Sequence, residues 1–121
     1  MSIQLTPFSE LPWEEGRVAS GEGAAPGSVV RRKWLARGQA GLCAQHVQMP
    51  AGNVVRTHSH DRDELMVVLK GGCRFDERVD LAPGDSAVVP AEVPYGFVVG
   101  AEGMEFLIVR TGEAVLTRAE P

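Results

Sequence analysis

Three residues within seven positions carry the densest chemistry in the chain: His58, His60 and Glu64. Alternate side chains on a strand share a face, so both imidazoles of His58-Ser59-His60 point the same way. Asp61-Arg62-Asp63 suits a tight connection, and an apolar segment starts at Glu64, so a hairpin would fold Glu64 back beside the histidine pair. Two imidazoles and a carboxylate converging on one side of a sheet make a three-ligand site for a divalent metal ion. Such a site leaves positions open for water, substrate or oxygen. The same residues on a solvated hairpin would bind nothing, and their spacing alone does not separate the two readings.

Other residues gather near this trio by parity. Arg56, two positions before His58, is expected to face the same cavity. There it would meet a substrate carboxylate or Glu64, or else pair with Asp61 or Asp63 at the mouth. His46 reads as a structural or rim histidine beside Gln45 and Gln48. Met66, Phe75, Phe97 and Phe106 read as core or cavity wall. Nothing near Cys73 marks it as a nucleophile. Arg110 ends the last apolar segment with no assigned partner.

The elements that must position these residues are short and separated by turn residues. Of 121 residues, 14 are glycine and 8 proline, which favours turns over long helices. Val-rich segments run over 29–37, 42–49, 53–59, 64–70, 73–81, 86–89, 95–99 and 104–110. Turns fall at Gly38, Pro50-Ala51-Gly52, Gly71-Gly72, Pro83-Gly84-Asp85, Pro90, Pro94, Gly100 and Gly103. This pattern predicts an all-β sandwich or barrel over 29–121 with a short C-terminal tail. Residues 1–28 read as an arm with one helical turn around Ser9–Glu15 and an anchoring Trp13, packed on the barrel or on a dimer partner.

Several functional classes are disfavoured. With 12 basic and 16 acidic side chains the net charge is -4, unlike a protein whose main partner is nucleic acid. The triplet Arg31-Arg32-Lys33 reads as a solvated strand face. The longest aliphatic run, Leu65–Leu69, is far short of the ~20 residues of a membrane helix. No signal peptide is visible at the start, so a cytoplasmic protein with Cys43 and Cys73 reduced is expected.

The spacing around the trio resembles the first motif of the cupin family: Gly52, five residues, His58-Ser59-His60, three residues, Glu64, six residues, Gly71. The second motif is met only at Gly84 and Pro90. Glu92 stands where the family has Gly, Tyr95 where it has the fourth metal-binding His, and Val99 where it has Asn. The resemblance implies a cupin-type double-stranded β-helix (jelly-roll) barrel with His58, His60 and Glu64 holding a divalent metal, iron foremost and zinc, manganese or nickel as alternatives. Tyr95 is then a phenolate ligand, a neutral hydroxyl beside the metal that orients a ligand or moves a proton, or a core aromatic.

The expected activity is Fe(II)-dependent dioxygenase-type chemistry on a small, anionic organic molecule, with Arg56 and Tyr95 as the catalytic side chains. The alternatives are a redox-neutral isomerase or lyase and a non-catalytic small-molecule or metal-sensing module. Residues 64–70 are apolar on both faces, as in a strand covered on both sides. Together with the resemblance, that implies a homodimer.

Overall fold

Alternating apolar and polar residues become strands wherever turn residues release them. The computed structural model describes residues 2–16, 23–25, 27–113 and 116–118. Its strands are β1 (Glu14–Gly16), β2 (Val30–Arg37), β3 (Cys43–Met49), β4 (Val54–His60), β5 (Glu64–Phe75), β6 (Val79–Leu81), β7 (Ser86–Val89), β8 (Tyr95–Arg110) and β9 (Leu116–Arg118). All pair antiparallel, in the order β1-β2-β3-β8-β4-β9, with β5 joining β8 to β6 and β7. The architecture is the expected all-β jelly roll.

Two long strands do most of the joining. The first part of β8 pairs with β4 and with the end of β5, and its second part pairs with β3 and with the start of β5. The segments read separately as 64–70 and 73–81 are therefore one strand as far as Phe75, and 95–99 and 104–110 are likewise one. Glycine bends them without reversing them. Gly71 and Gly103 both take left-handed φ, +66° and +76°, and a Cβ on Gly71 would overlap the Gly103 carbonyl oxygen. Only glycine permits so close a backbone crossing.

Inward positions of these strands form the core: Val47 on β3, Met66 and Val68 on β5, and Phe97, Val99 and Phe106 on β8. Parity from Met66 and Val68 carries Glu64 inward, and parity from Phe106 and Ile108 carries Arg110 to the same side. Cys43 and Cys73 are buried and free.

Three local expectations are corrected. The connection after His60 is not a hairpin, because β4 pairs with β8 and β9 whereas β5 pairs with β6, β7 and β8. Glu64 reaches the histidines across the barrel. The arm's one helical turn is a 3-10 turn at Phe8–Glu10, earlier and shorter than expected around Ser9–Glu15, and Glu14–Gly16 adds β1 to the edge of β2. Arg31-Arg32-Lys33 is not a solvated face. Lys33 is buried on the outer side under Phe8 and Trp13, and Arg32 is half-buried and lines the interior. Trp13 does anchor the arm, its ring 5.8 Å from that of His46. Residues 17–22 and 26 of the arm, and 114, 115 and 119–121 of the tail, lie outside the described residues.

Candidate functional site

Five side chains from three strands meet at one end of the barrel interior. β4 supplies His58 and His60, both buried, with ring centroids 4.9 Å apart and planes at 90°. The Arg56 carbonyl lies 2.8 Å from His58 Nδ1. A carbonyl only accepts, so Nδ1 carries the proton and the Nε2 lone pair is left for the site. Glu64 opens β5, 3% exposed, in register with Arg110 on one side and Val89 on the other. Tyr95 opens β8 opposite His58, their rings 4.5 Å apart, and its far face stacks on Phe75.

The Glu64 carboxylate organises the group. Tyr95 Oη donates to Oε2 at 2.6 Å, and Arg110 Nε donates to Oε1 at 2.8 Å. Arg110 Nη2 is also 2.8 Å from Oε1, and it donates to His60 Nε2 at 3.2 Å. Tyr95 and Arg110 are the first and last residues of β8. A straight strand of that length would part them by ~50 Å. The bend at the glycines folds β8 so that both ends grip one carboxylate.

Electrostatics fix the protonation pattern. Burial, and after it the Arg110 charge, lowers the His60 pKa to about 4, so the ring is neutral. Burial and the Glu64 carboxylate raise the Tyr95 pKa, so its hydroxyl is a neutral donor. Arg110 Nη2 can only donate, so His60 Nε2 accepts and Nδ1 carries hydrogen. That Nδ1 is buried without a hydrogen-bond partner.

Beyond the cluster lies a cavity of about 540 Å³ whose lining includes His58, His60, Tyr95 and Arg110. Its walls include Met66, Phe97 and Phe106, with Arg32 donating to Gln45 Oε1 at 3.2 Å. Arg56, expected either inside or at the mouth, is exposed and contributes at the rim. His46 lies on the outer face, 2.9 Å from Glu105 Oε1. The structure thus brings His58, His60, Glu64 and Tyr95 together and leaves Arg56 at the edge.

The donor set was tested against a divalent ion. His60 Nε2 and Glu64 Oε1 are 3.9 Å apart. That is within the span of two ligands to one ion, each at about 2.0–2.2 Å. The His58 ring lies 4.9 Å from that of His60, centroid to centroid. The residue types suit such an ion, yet among the described residues no three His, Cys, Asp or Glu side chains converge to hold one, and Arg110 lies against the two atoms that come nearest to doing so.

The cupin domain family matches residues 45–110, more than half of the chain. The chain belongs to the cupin family. No curated protein sequence matches it.

Among solved structures, this cupin resembles the polyketide cyclase RemF from Streptomyces resistomycificus, at 16% identity and TM-score 0.78 over 99% of this chain and 87% of that one. It also resembles a candidate acetylacetone dioxygenase from Methylibium petroleiphilum, at 18% identity and TM-score 0.76 over 100% and 83%. A third is a sugar phosphate isomerase of the cupin superfamily from Silicibacter pomeroyi, at 21% identity and TM-score 0.71 over 98% and 83%. At these identities the likeness is one of fold, and the fold serves different chemistries.

Two interior cations escaped the reading of the sequence. Arg110 follows Phe106 and Ile108 by parity, and Arg32 follows Val30, so a charged residue closing or interrupting an inward run was the available signal. Glu92, at the family's glycine position, keeps the glycine-type backbone with φ +69°. Its amide donates to the His60 carbonyl at 2.7 Å, holding the loop before Tyr95 against the histidine strand.

Proposed function

We propose that this cupin binds a divalent metal through His58, His60 and Glu64 and transforms a small anionic organic molecule in the barrel cavity, with Fe(II)-dependent dioxygenase-type chemistry as the leading reaction. The observation that carries this is the 3.9 Å gap between His60 Nε2 and Glu64 Oε1 beside a cavity that His58, His60 and Tyr95 line. Two imidazoles and one carboxylate suit non-haem iron and equally suit catalytic zinc, manganese or nickel. When bound, iron supplies oxygen activation, and a redox-inert ion supplies Lewis acidity.

The chain's own residues do the rest. Tyr95 holds Glu64 in one orientation by donating to Oε2 and remains a proton donor at the cavity edge. Met66, Phe97 and Phe106 exclude water from the reacting end. Arg32 inside and Arg56 at the rim give the cavity the positive potential that favours an anion.

The test is metal content and oxygen uptake after anaerobic loading of the purified protein with Fe(II). Stoichiometric iron and substrate-dependent oxygen consumption are expected. Failure to bind any divalent metal would remove the proposal. A redox-neutral isomerase or lyase is favoured by the Tyr95–Glu64 hydrogen bond, an acid beside a carboxylate, and turnover retained with Zn(II) or Ni(II) under anaerobic conditions would establish it instead. If Glu64→Gln changes ligand affinity while no substrate is ever consumed, the protein is a binding module.

The proposal extends to a homodimer in a reducing, cytoplasmic setting. Leu65, Leu69 and Val88 on the outer face of β5 and β7 are exposed, with Leu65 and Val88 in register, and a second copy would cover them. A monomer by light scattering at micromolar concentration would count against it. The two free thiols accord with the compartment.

A further inference from the structure

Arg110 stands where the proposed ion would stand. Its Nη2 lies 2.8 Å from Glu64 Oε1 and 3.2 Å from His60 Nε2, two atoms that are themselves 3.9 Å apart. An ion about 2.1 Å from both of those atoms cannot lie more than about 3 Å from Nη2, wherever it sits around the line joining them. A dication and a guanidinium at that separation repel strongly in a buried site, and both draw on the same lone pairs.

We propose that Arg110 is an internal stand-in for the metal, so that metal uptake is an exchange of cations. This inference rests on the metal reading given above. In the metal-free protein the guanidinium satisfies Glu64 Oε1 and His60 Nε2, and no buried carboxylate is left bare. When a divalent ion enters, Arg110 gives up both atoms and turns into the cavity that it already lines.

The cavity has room for the movement, and an arginine side chain has the rotamers for it. The displaced guanidinium then shares the cavity with Arg32, which lines it too. Two arginines facing one space make a receptor for a carboxylate or a comparable anion. Metal binding therefore prepares the anion site, and the two ligands bind cooperatively.

The exchange is tested with Zn(II) alone, in competition with a chromogenic chelator, on the wild type and on Arg110→Met. The variant has no cation to displace, so it should bind Zn(II) about tenfold more tightly or better. A merely structural Arg110 predicts the opposite, because its loss would loosen the ligands. Equal or weaker binding by the variant overturns this inference and leaves the metal proposal standing. Absence of Zn(II) binding in both proteins overturns the two together.

Should Arg110→Met fail to fold without metal, the wild type supplies the readout. The Arg110 Nε–H resonance, bonded to Glu64 and protected from exchange in the metal-free protein, should shift and lose protection at stoichiometric Zn(II). An unchanged resonance at saturation overturns the exchange.

Discussion

Two histidine–glutamate clusters lie on opposite faces of the same sheet, sharing β8, and only the inner one opens on the barrel interior. On the outer face His46 of β3 bonds Glu105 of β8 at 2.9 Å, and Phe8 and Trp13 cover its ring at 4.9 and 5.8 Å. Lys33 completes that cluster, its Nζ 3.9 Å over the Phe8 ring and donating to the Phe8 carbonyl at 2.9 Å. The inner cluster has the same ingredients of histidine, glutamate, cation and aromatic ring. Outside, the groups are spent on clamping the N-terminal arm. Inside, His60 Nδ1 stays without a partner and the polar end opens on about 540 Å³. Residue type does not make a site; unspent bonding capacity beside an open space does.

The sharpest way to break this contrast is to remove the inner carboxylate. Glu64→Ala leaves Arg110 without its buried partner, and the metal-free protein should lose about 3–5 kcal/mol by urea denaturation. A loss below ~1 kcal/mol would place the inner cluster with exposed ion pairs.

Acid separates the two clusters next. His60 is neutral in the fold with its pKa lowered to about 4, against 6.5 for the free group. Its contribution is complete above pH 6.5 and is lost as pH falls towards about 4, on the order of 3 kcal/mol in the metal-free protein. Glu105 is a carboxyl whose pKa is lowered by the His46 hydrogen bond, so its contribution is present above the ordinary glutamate value and fades only below it. A stability profile flat between pH 6.5 and 5 would contradict the inner assignment.

The smallest effect belongs to the outer clamp. Lys33→Met should cost roughly 1–2 kcal/mol through the lost hydrogen bond and cation–π contact and leave Zn(II) affinity unchanged. A change in metal affinity would show that the two faces communicate.

Much of this was legible in residues. The turn-punctuated Val-rich segments gave the all-β fold, and period-two parity put His58, His60 and Glu64 on inward positions. The hairpin after His60 was misread because a polar trio between two strands does not reveal whether they pair with each other or with distant partners. β5 pairs along its two edges with β7 and β8, which sets Met66 and Val68 into the core and leaves Leu65 and Leu69 outside. Arg56 stands between two readings, inside or at the mouth, since parity near the mouth gives a direction but not a depth, and it lies at the mouth. Arg110 went unassigned because its partners are Glu64 and His60, 46 and 50 positions away. Local spacing carries no signal at that range. Tyr95 has three readings in the sequence because the carboxylate that accepts its hydrogen bond comes from another strand.

The bend in β8 has a consequence for how the protein comes to be active. Tyr95 and Arg110 reach Glu64 only after the strand has been bent and both its halves have docked, and closing such non-local contacts is entropically slow. The cluster therefore belongs to the late steps of folding. A chain with its barrel still open holds Glu64 without either grip, so ligand-binding competence and barrel closure arrive in one step.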